Sequence, residues 1–476
     1  MGTSLLELAC SLDLKGKYPL LAAFVNHKIK ELNYKIYTPA KVEFFDIATP
    51  AGFRVYQRSM IFIMQAVVSK LYPSQKFHAR HAIGDSIYCE VEGKTKFSTK
   101  ECQALYDTAR EIVEQDLPIT REKLPTEEVV KEFAKRGFDD KIDLLQTRQR
   151  LYSSVERLGD EVGYFFGALA PSTGYIDRFE VQPYFKGFYI SLPSRTAPDT
   201  IAPAPNLQKM FSIFDGYSEW VDIMGVPTVG KLNKRIEQGD TSELIQIAEA
   251  LHEKRLARIA DTIAEANRER GLRLVLISGP SSSGKTTTSK RLGVQLRVLG
   301  LHPVLVSTDD YFVNREDTPR DENGDYDFEA LEAIDLELLN SDLKRLMAGE
   351  SVDVPRYDFI TGTRQWHEAP LKLGERSILI MEGIHGLNPR LTPSIPRNQK
   401  FCIYVSCLTS VAMDNLSRIP TSDNRMLRRI TRDYATRGSN ALATLQRWPS
   451  VRRGEEKHIF PYQENADVMF NSSLFY

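Results

Sequence analysis

The stretch Gly279-Pro280-Ser281-Ser282-Ser283-Gly284-Lys285-Thr286 decides the fold of the second half of this chain. It fits the pattern G-x-x-x-x-G-K-[ST], with the apolar run LRLVLIS before it and a helical pattern after it. The glycines allow the backbone N–H groups of such a loop to point inward at phosphate oxygens. The stretch therefore predicts a phosphate-binding loop that holds a nucleotide. The alternative is a Gly/Ser turn that carries a lysine by chance.

The residues of this loop have separate predicted roles. Lys285 is predicted to reach the β- and γ-phosphates of ATP, and the Thr286 hydroxyl is predicted to bind Mg²⁺. The loop alone does not choose between a GTPase, an ATPase motor and a small-molecule kinase. ATP and Mg²⁺ become the predicted cofactors once the kinase features described below are added. The residues predicted to contact ATP are Gly279, Pro280, Ser281, Ser282, Ser283, Gly284, Lys285, Thr286 and Thr287.

Short apolar runs alternate with helical stretches from Leu272 onward. The runs are LRLVLIS, HPVLVSTDD, RSILIMEG, KFCIYVSC and ADVMFNSS. Continuous apolar runs separated by helices are typical of buried parallel strands. Residues 271–476 are therefore predicted to form an α/β domain with a parallel sheet and flanking helices.

Acidic residues end two of these runs. Asp309 and Asp310 end HPVLVSTDD, and Glu382 falls at the end of RSILIMEG. Because the carboxyl ends of parallel strands converge on the ligand crevice, an acid there can accept a hydroxyl proton or hold Mg²⁺. The alternatives are a turn or N-cap role for Asp310 and an ordinary strand-end acid for Glu382.

Arginines recur on one face of a predicted helix in SDNRMLRRITRDYATRG. Arg425, Arg428 and Arg432 have the spacing i, i+3 and i+7, and Arg429 is adjacent. One explanation is a solvated basic face, and the other is a lid that brings arginines to a transferring phosphate. Only about 90 residues follow Glu382. A compact kinase fits this length better than a motor ATPase with a long coupling region.

Together these motifs resemble the uridine kinase and phosphoribulokinase family, most closely the uridine–cytidine kinases. The stretches that carry the resemblance are GPSSSGKTT, STDDYF, YDFEALEAIDLELL, VPRYDFITGTR, ILIMEGI and RMLRRITRDYATRG. The resemblance implies phosphorylation of a nucleoside 5′-hydroxyl, with Asp309 as the base and Glu382 as a Mg²⁺ ligand. The residues implied to act in catalysis are Asp309, Lys285, Arg428 and Arg432. Those implied to bind the substrate are Asp309, Glu329, Tyr357, Arg364 and Arg425.

Two of these implied positions need comment. Uridine–cytidine kinases use a histidine to read the pyrimidine, and the matching position here is Gly362, which has no side chain. This departure leaves the identity of the nucleobase undetermined. It also retains a second alternative for the acceptor, namely another small alcohol such as a sugar phosphate or a vitamin precursor. Without the resemblance, Tyr357 is equally explained as a core aromatic residue.

The first half of the chain resembles two domains of threonyl-tRNA synthetase. The stretches GTSLLELACSL, AGFRVYQRSMIFIMQAVVSKLYP, EIVEQDLPITREKLP and APSTGYIDRF carry this resemblance. It implies an α+β TGS-like domain over residues 1–49 and an α+β editing-like domain over residues 50–227. A charged stretch within the second domain, residues 100–136, is expected to be helical. A helical linker is expected over residues 228–270.

The editing chemistry is not expected to persist. Arg58 and Phe62 stand at the positions of the editing domain's H-x-x-x-H pair, and Phe165 and Leu169 stand at its C-x-x-x-H pair. None of these side chains binds a metal or acts as a base at neutral pH. The first half is therefore predicted to be a regulatory or RNA-binding module.

Composition limits the partners. Lys plus Arg is 62 and Asp plus Glu is 63, so the net charge of −1 argues mildly against the alternative of a nucleotide-dependent regulator that binds RNA or tRNA. No apolar run approaches the roughly 18 residues of a membrane span. Five scattered cysteines fit a reducing compartment. We therefore expect a cytoplasmic protein, and the resemblance allows a homo-oligomer. His78 and His81 have no third ligand nearby and are expected to be exposed.

Overall fold

The computed structural model describes residues 2–14, 16–201, 203, 206–322 and 324–476. The chain divides into two compact units, which we describe separately. Unit 1 comprises residues 1–206, 225–239 and 411–418, and unit 2 comprises residues 207–224, 240–410 and 419–476. These units differ from the boundaries expected from the sequence.

Strands and helices are numbered along the chain. The strands are β1 (Thr3–Ser4), β2 (Ala22–Val25), β3 (Lys28–Glu31), β4 (Lys35–Ile36), β5 (Val42–Phe45), β6 (Phe77–Ile83), β7 (Ser86–Val91), β8 (Ile119–Pro125), β9 (Tyr152–Leu158), β10 (Glu161–Gly163), β11 (Glu180–Tyr184), β12 (Gly187–Ser191), β13 (Leu274–Ser278), β14 (His302–Ser307), β15 (Ser351–Val352), β16 (Pro355–Asp358), β17 (Thr363–Trp366), β18 (Leu371–Lys372), β19 (Ser377–Glu382), β20 (Lys400–Ser406) and β21 (Val468–Asn471).

The helices follow the same numbering. They are α1 (Leu5–Ser11), α2 (Pro50–Leu71), α3 (Thr99–Glu114), α4 (Thr126–Arg136), α5 (Asp139–Thr147), α6 (Gln208–Ile223), α7 (Val229–Glu237), α8 (Thr241–Arg270), α9 (Lys285–Val298), α10 (Leu336–Met347), α11 (Thr421–Thr436) and α12 (Ala441–His458). Among the described helices, none has the length and apolar character that a membrane crossing requires.

Unit 1 is built from small antiparallel sheets around helix α2. The sheets have the strand orders β3-β2-β5, β11-β12-β7-β6 and β10-β9-β8. Helix α2 begins where the Thr49 hydroxyl accepts a hydrogen bond from Gly52 N, and Pro50 occupies its first turn. Most of its side chains are buried. This helix is therefore the central element of the unit 1 core.

Two expectations for unit 1 are wrong. The stretch 100–136 is not one helix, because strand β8 separates α3 from α4. Asp116 has a positive φ of 48°, and Pro118 lacks the amide hydrogen that would continue α3. The histidines of β6 are not exposed: His81 is 9% exposed, and burial lowers the pKa of His78 to about 4.

A short segment from the second half of the sequence belongs to unit 1. Leu416 is buried in the apolar cluster that contains helix α2. Asp414 is fully buried, and its Oδ2 lies 3.4 Å from Lys141 Nζ, which also lies 3.6 Å from Asp140 Oδ2. The backbone N–H of Asn415 donates to Asp140 Oδ2 at 2.7 Å. Segment 411–418 is therefore an integral part of the unit 1 core.

Unit 2 is an α/β layer structure, as predicted. Among its described residues, a sheet of five parallel strands has the order β14-β19-β13-β20-β21. Every residue of the central strand β13 is buried. Its side chains alternate between two apolar layers, with Leu274 and Leu276 on the side of α10 and Val275 and Ile277 on the side of α8 and α9.

The predicted linker is divided between the two units. Helix α7 belongs to unit 1, whereas α8 belongs to unit 2. Leu256, Ile259 and Ile263 of α8 are buried in the same apolar cluster as the sheet residues. Because an apolar stripe covers the sheet, α8 is a layer of the fold and not a free linker.

Candidate active site

The loop between β13 and α9 has the backbone that the sequence predicts. Gly284 has a φ of +92° and precedes α9, which begins at Lys285. A Cβ on Gly279 would lie 2.0 Å from the carbonyl oxygen of Val405, so only glycine fits there. The N-terminus of α9 directs its partial positive charge toward the loop. This arrangement forms a cradle for an anion.

The side chains of the loop fit a polyphosphate. Within the described residues, the buried hydroxyl oxygens of Ser282 and Ser283 have no hydrogen-bond partner. Lys285 Nζ donates to the carbonyl oxygens of Gly279, at 3.0 Å, and Pro280, at 3.4 Å. Burial lowers the pKa of Lys285. Since unpaired buried polar groups are costly, a bound phosphate would satisfy the loop. The predicted ATP contact Thr287 is exposed on the first turn of α9.

Thr286 and Glu382 are neighbours at the ends of their elements. Thr286 Oγ1 donates to Glu382 Oε1 at 2.6 Å. Burial raises the pKa of Glu382, and the charge of Lys285 opposes this effect. A hydroxyl and a carboxylate are hard oxygen donors, and Mg²⁺ typically takes only a few protein oxygens beside phosphates. These two residues therefore fit a Mg²⁺ site.

Asp309 and Asp310 lie in a single 3₁₀ turn, Thr308–Tyr311, directly after β14. Asp310 Oδ1 accepts a hydrogen bond from the backbone N–H of Tyr357 at 3.3 Å, and burial raises the pKa of this carboxyl group. Asp309 Oδ2 lies 4.0 Å from Arg437 Nη2. Asp310 thus ties the turn to strand β16, while Asp309 faces a cation.

Glu329 is enclosed beside helices α11 and α12. Its Oε1 lies 3.9 Å from Arg429 Nη1, and among the described residues its buried Oε2 has no hydrogen-bond partner. Burial raises the pKa of Glu329, and the charge of Arg429 opposes this effect. An acceptor hydroxyl would supply the missing donor, which supports the predicted substrate role of Glu329.

Gly454 of α12 leaves the space that Glu329 needs. A Cβ on Gly454 would lie 2.3 Å from Glu329 Cβ. We predict that Gly454→Ala lowers the free energy of unfolding by about 1–3 kcal/mol, because overpacking outweighs the usual gain of alanine in a helix. Urea denaturation measures this change. The control is Gly216→Ala in α6, where the added Cβ meets nothing within 4 Å. The prediction is wrong if Gly454→Ala leaves the free energy of unfolding unchanged or raises it.

The arginines of α11 contact the phosphate-binding loop. Arg425 is 2% exposed, donates from Nε to the carbonyl oxygen of Ser281 at 3.0 Å, and pairs with Glu455 of α12. Arg428 Nε donates to the carbonyl oxygen of Ser282 at 3.1 Å. The burial of Arg425 argues against a solvated basic face at that position, and the lid role of these arginines stays a prediction. The substrate contact of Arg425 stays a prediction.

Three further arginines lie in this region, and the helical spacing in the sequence indicates only two of them. Arg432 pairs with Asp433 at 2.8 Å. Arg429 donates from Nη1 to Ser281 Oγ at 2.8 Å. Arg437, which sequence reasoning missed, lies 4.0 Å from Asp309 and 4.4 Å above the ring of Phe359. It follows α11 and lies outside the i, i+3, i+7 series, so helical spacing does not reveal it.

Tyr357 and Arg364 have internal partners. Tyr357 is 6% exposed, and its ring centroid lies 5.6 Å from that of Phe312. Arg364 Nη1 pairs with Asp335 Oδ2 at 3.0 Å, and its Nε donates to the carbonyl oxygen of Phe312 at 3.2 Å. These contacts hold the chain that follows Asp309. Direct contact of Tyr357 and Arg364 with a substrate therefore stays a prediction.

The editing-like positions of unit 1 are filled by packing. Arg58 donates from Nε and Nη2 to the carbonyl oxygen of Ala168 at 3.0 and 2.9 Å. The rings of Phe62 and Phe165 lie 5.2 Å apart, and Leu169 is 1% exposed. The side chains at these four positions are held by packing and by backbone hydrogen bonds. They offer no base or metal ligand.

A parallel sheet whose central strand leads into a phosphate-binding loop, with acids at the neighbouring strand ends, defines a P-loop nucleotide-binding domain. The model of the Phosphoribulokinase / Uridine kinase family matches residues 274–474. A uridine kinase of Mycoplasma genitalium is 31% identical over 202 residues, which cover 42% of this chain and 85% of that protein. A uridine kinase of Schizosaccharomyces pombe is 32% identical over 199 residues, covering 41% and 38%. The chain belongs to the phosphoribulokinase and uridine kinase family, as its motifs predict.

The first half has a different relationship. A threonine–tRNA ligase of Syntrophomonas wolfei is 28% identical over 182 residues, which cover 38% of this chain and 29% of that protein. The chain therefore spans less than a third of the length of this ligase. The similarity confirms the predicted likeness of the first half to threonyl-tRNA synthetase.

Proposed function

We propose that this protein transfers the γ-phosphoryl group of ATP to the 5′-hydroxyl of a nucleoside, with Mg²⁺ as cofactor. The carrying observation is the convergence of Lys285, Glu382 and Asp309 at the carboxyl ends of neighbouring strands. The carboxylates of Glu382 and Asp309 lie close enough to raise the pKa of Lys285 against the effect of its burial. Family membership supports the same reaction class.

Each residue has a proposed step. Asp309 accepts the proton of the acceptor hydroxyl while the new O–P bond forms and the bond to ADP breaks. Lys285 and the loop N–H groups stabilise the charge on the transferred group, and Arg428 and Arg432 add positive charge from the lid. Thr286 and Glu382 would hold Mg²⁺, which neutralises phosphate charge when bound.

The reaction is tested with a panel of acceptors. The protein is incubated with ATP and Mg²⁺ against nucleosides, sugar phosphates and other small alcohols, and ADP formation is measured. A nucleoside is expected to raise turnover above the water background, and Lys285→Met is the inactive control. If no nucleoside does so, the nucleoside proposal is wrong. A response to another alcohol alone would support the second acceptor class.

Unit 1 motivates a second candidate function, a regulator that binds RNA or tRNA. Its observation is the similarity to threonine–tRNA ligases. Under this candidate, tRNA copurifies with the protein and is released at moderate salt, because phosphate contacts are salt-dependent. Purified protein without nucleic acid, and without affinity for added tRNA at low salt, would contradict it.

A further inference from the structure

Arg315 occupies the space beside Gly362. An ideal Cβ on Gly362 would lie 2.7 Å from Cζ and Nε of Arg315 and 2.9 Å from its Nη2. Gly362 has a φ of +75°, a conformation that favours glycine. A side chain at position 362 is therefore incompatible with this position of Arg315. The glycine makes room for a guanidinium group.

The backbone around the turn between β16 and β17 holds Arg315 in place. Its backbone N–H donates to the carbonyl oxygen of Gly362 at 2.9 Å. Its Nη2 donates to the carbonyl oxygen of Phe359, also at 2.9 Å. Its charge opposes the rise in the pKa of Tyr357 that burial causes, so the guanidinium lies near the phenol. Arg315 itself remains exposed.

Strand β16 and the turn that follows it lie close to the acids at the end of β14. Tyr357 donates its backbone N–H to Asp310, and the ring of Phe359 lies 4.4 Å from Arg437, which faces Asp309. Residues 357–359 thus connect Arg315 to the acids at the end of β14. The phosphate-binding loop makes its described lid contacts through α11 instead. Arg315 therefore lies on the acceptor side of the site.

We propose that Arg315 determines specificity by binding the end of the acceptor molecule that is remote from the phosphorylated hydroxyl. This inference rests on the proposed function. A guanidinium has five N–H donors and no acceptor, and it matches paired oxygens best. It would bind a group that directs oxygen acceptors at it, such as a phosphate or the O4 carbonyl of a uracil-type base, where cytosine carries its amino group instead. An amino group, as in cytosine, would be left unmatched.

The test compares acceptors and variants. Initial rates are measured for the full-length protein and for Arg315→Ala with uridine, cytidine and a pentose phosphate, and ATP is titrated separately. Arg315→Ala is expected to lower kcat/KM for the preferred oxygen-rich acceptor roughly 10- to 100-fold, mainly through KM. The KM for ATP and the weak use of cytidine should change less than about twofold. Arg297→Ala, an exposed arginine on α9, is the matched control and should change none of these values.

Each outcome decides the proposal. If Arg315→Ala lowers kcat/KM for uridine, Arg315 binds a carbonyl group of the base. If it lowers kcat/KM for the pentose phosphate, Arg315 binds the phosphate. An equal loss for uridine, cytidine and ATP indicates a structural role and overturns the proposal, as does no change for any acceptor. If the unmodified protein uses neither these acceptors nor any other nucleoside of the panel, the proposed function fails together with this inference. Turnover with unchanged selectivity overturns only this inference.

Discussion

Replacing Asp309 with asparagine is expected to lower kcat by about two to four orders of magnitude, the range of general-base catalysis. Asparagine keeps the size and the hydrogen-bond acceptor of the side chain but cannot take the proton of the acceptor hydroxyl. Residue 309 lies outside the phosphate-binding loop, so the substitution should leave the affinity for ATP nearly unchanged. Initial rates of ADP formation give kcat, and titration calorimetry gives the ATP affinity.

Asp310→Asn is the matched control for this experiment. Asp310 accepts a backbone hydrogen bond from Tyr357, and an amide oxygen can still accept it. We therefore expect a loss of less than about tenfold, which corresponds to one weakened hydrogen bond. If Asp310→Asn abolishes turnover while Asp309→Asn retains it, Asp310 is the base.

Replacing Lys141 with methionine is expected to lower the free energy of unfolding by about 3–5 kcal/mol, as for other buried ion pairs that lose one partner. Lys141 is 2% exposed and lies between the buried carboxylates of Asp140 and Asp414. Methionine fills a similar volume but leaves two carboxylates without the cation between them. The shift of the urea midpoint of the full-length protein, followed by far-ultraviolet circular dichroism, measures the effect.

Lys70→Met provides the comparison at the surface. Lys70 lies 3.0 Å from Glu111, and both side chains are 59% exposed. Exposed ion pairs contribute less than about 1 kcal/mol, so this variant should remain close to the parent protein. Equal effects of Lys70→Met and Lys141→Met would show that the buried cluster does not depend on its charge.

Local features of the site could be predicted because their chemistry lies in contiguous residues. The phosphate-binding loop depends on a few glycines, Lys285 and Thr286, all within one strand-to-helix connection. The sheet follows from apolar runs that alternate with helices. The proximity of Thr286 and Glu382 also follows, because parallel strands bring their carboxyl ends together.

Long-range contacts could not be predicted in this way. The close approach of Gly454 to Glu329, and of Arg315 to Gly362, depends on how distant elements pack. No periodicity or spacing in the sequence indicates that the two residues of either pair are in contact. The helical linker expected over residues 228–270 includes α8, yet the apolar stripe of α8 packs on the sheet, because a long helix can bury one face and expose the other.

Segment 411–418 has a consequence for the evolution of the chain. Two genes that are joined end to end can normally be parted again by one break at their junction. Here a break before residue 271 would leave Asp414 and Leu416 on one fragment, and the unit 1 core that buries them on the other. The two halves of the sequence therefore cannot be separated at this junction without removing buried residues from the unit 1 core.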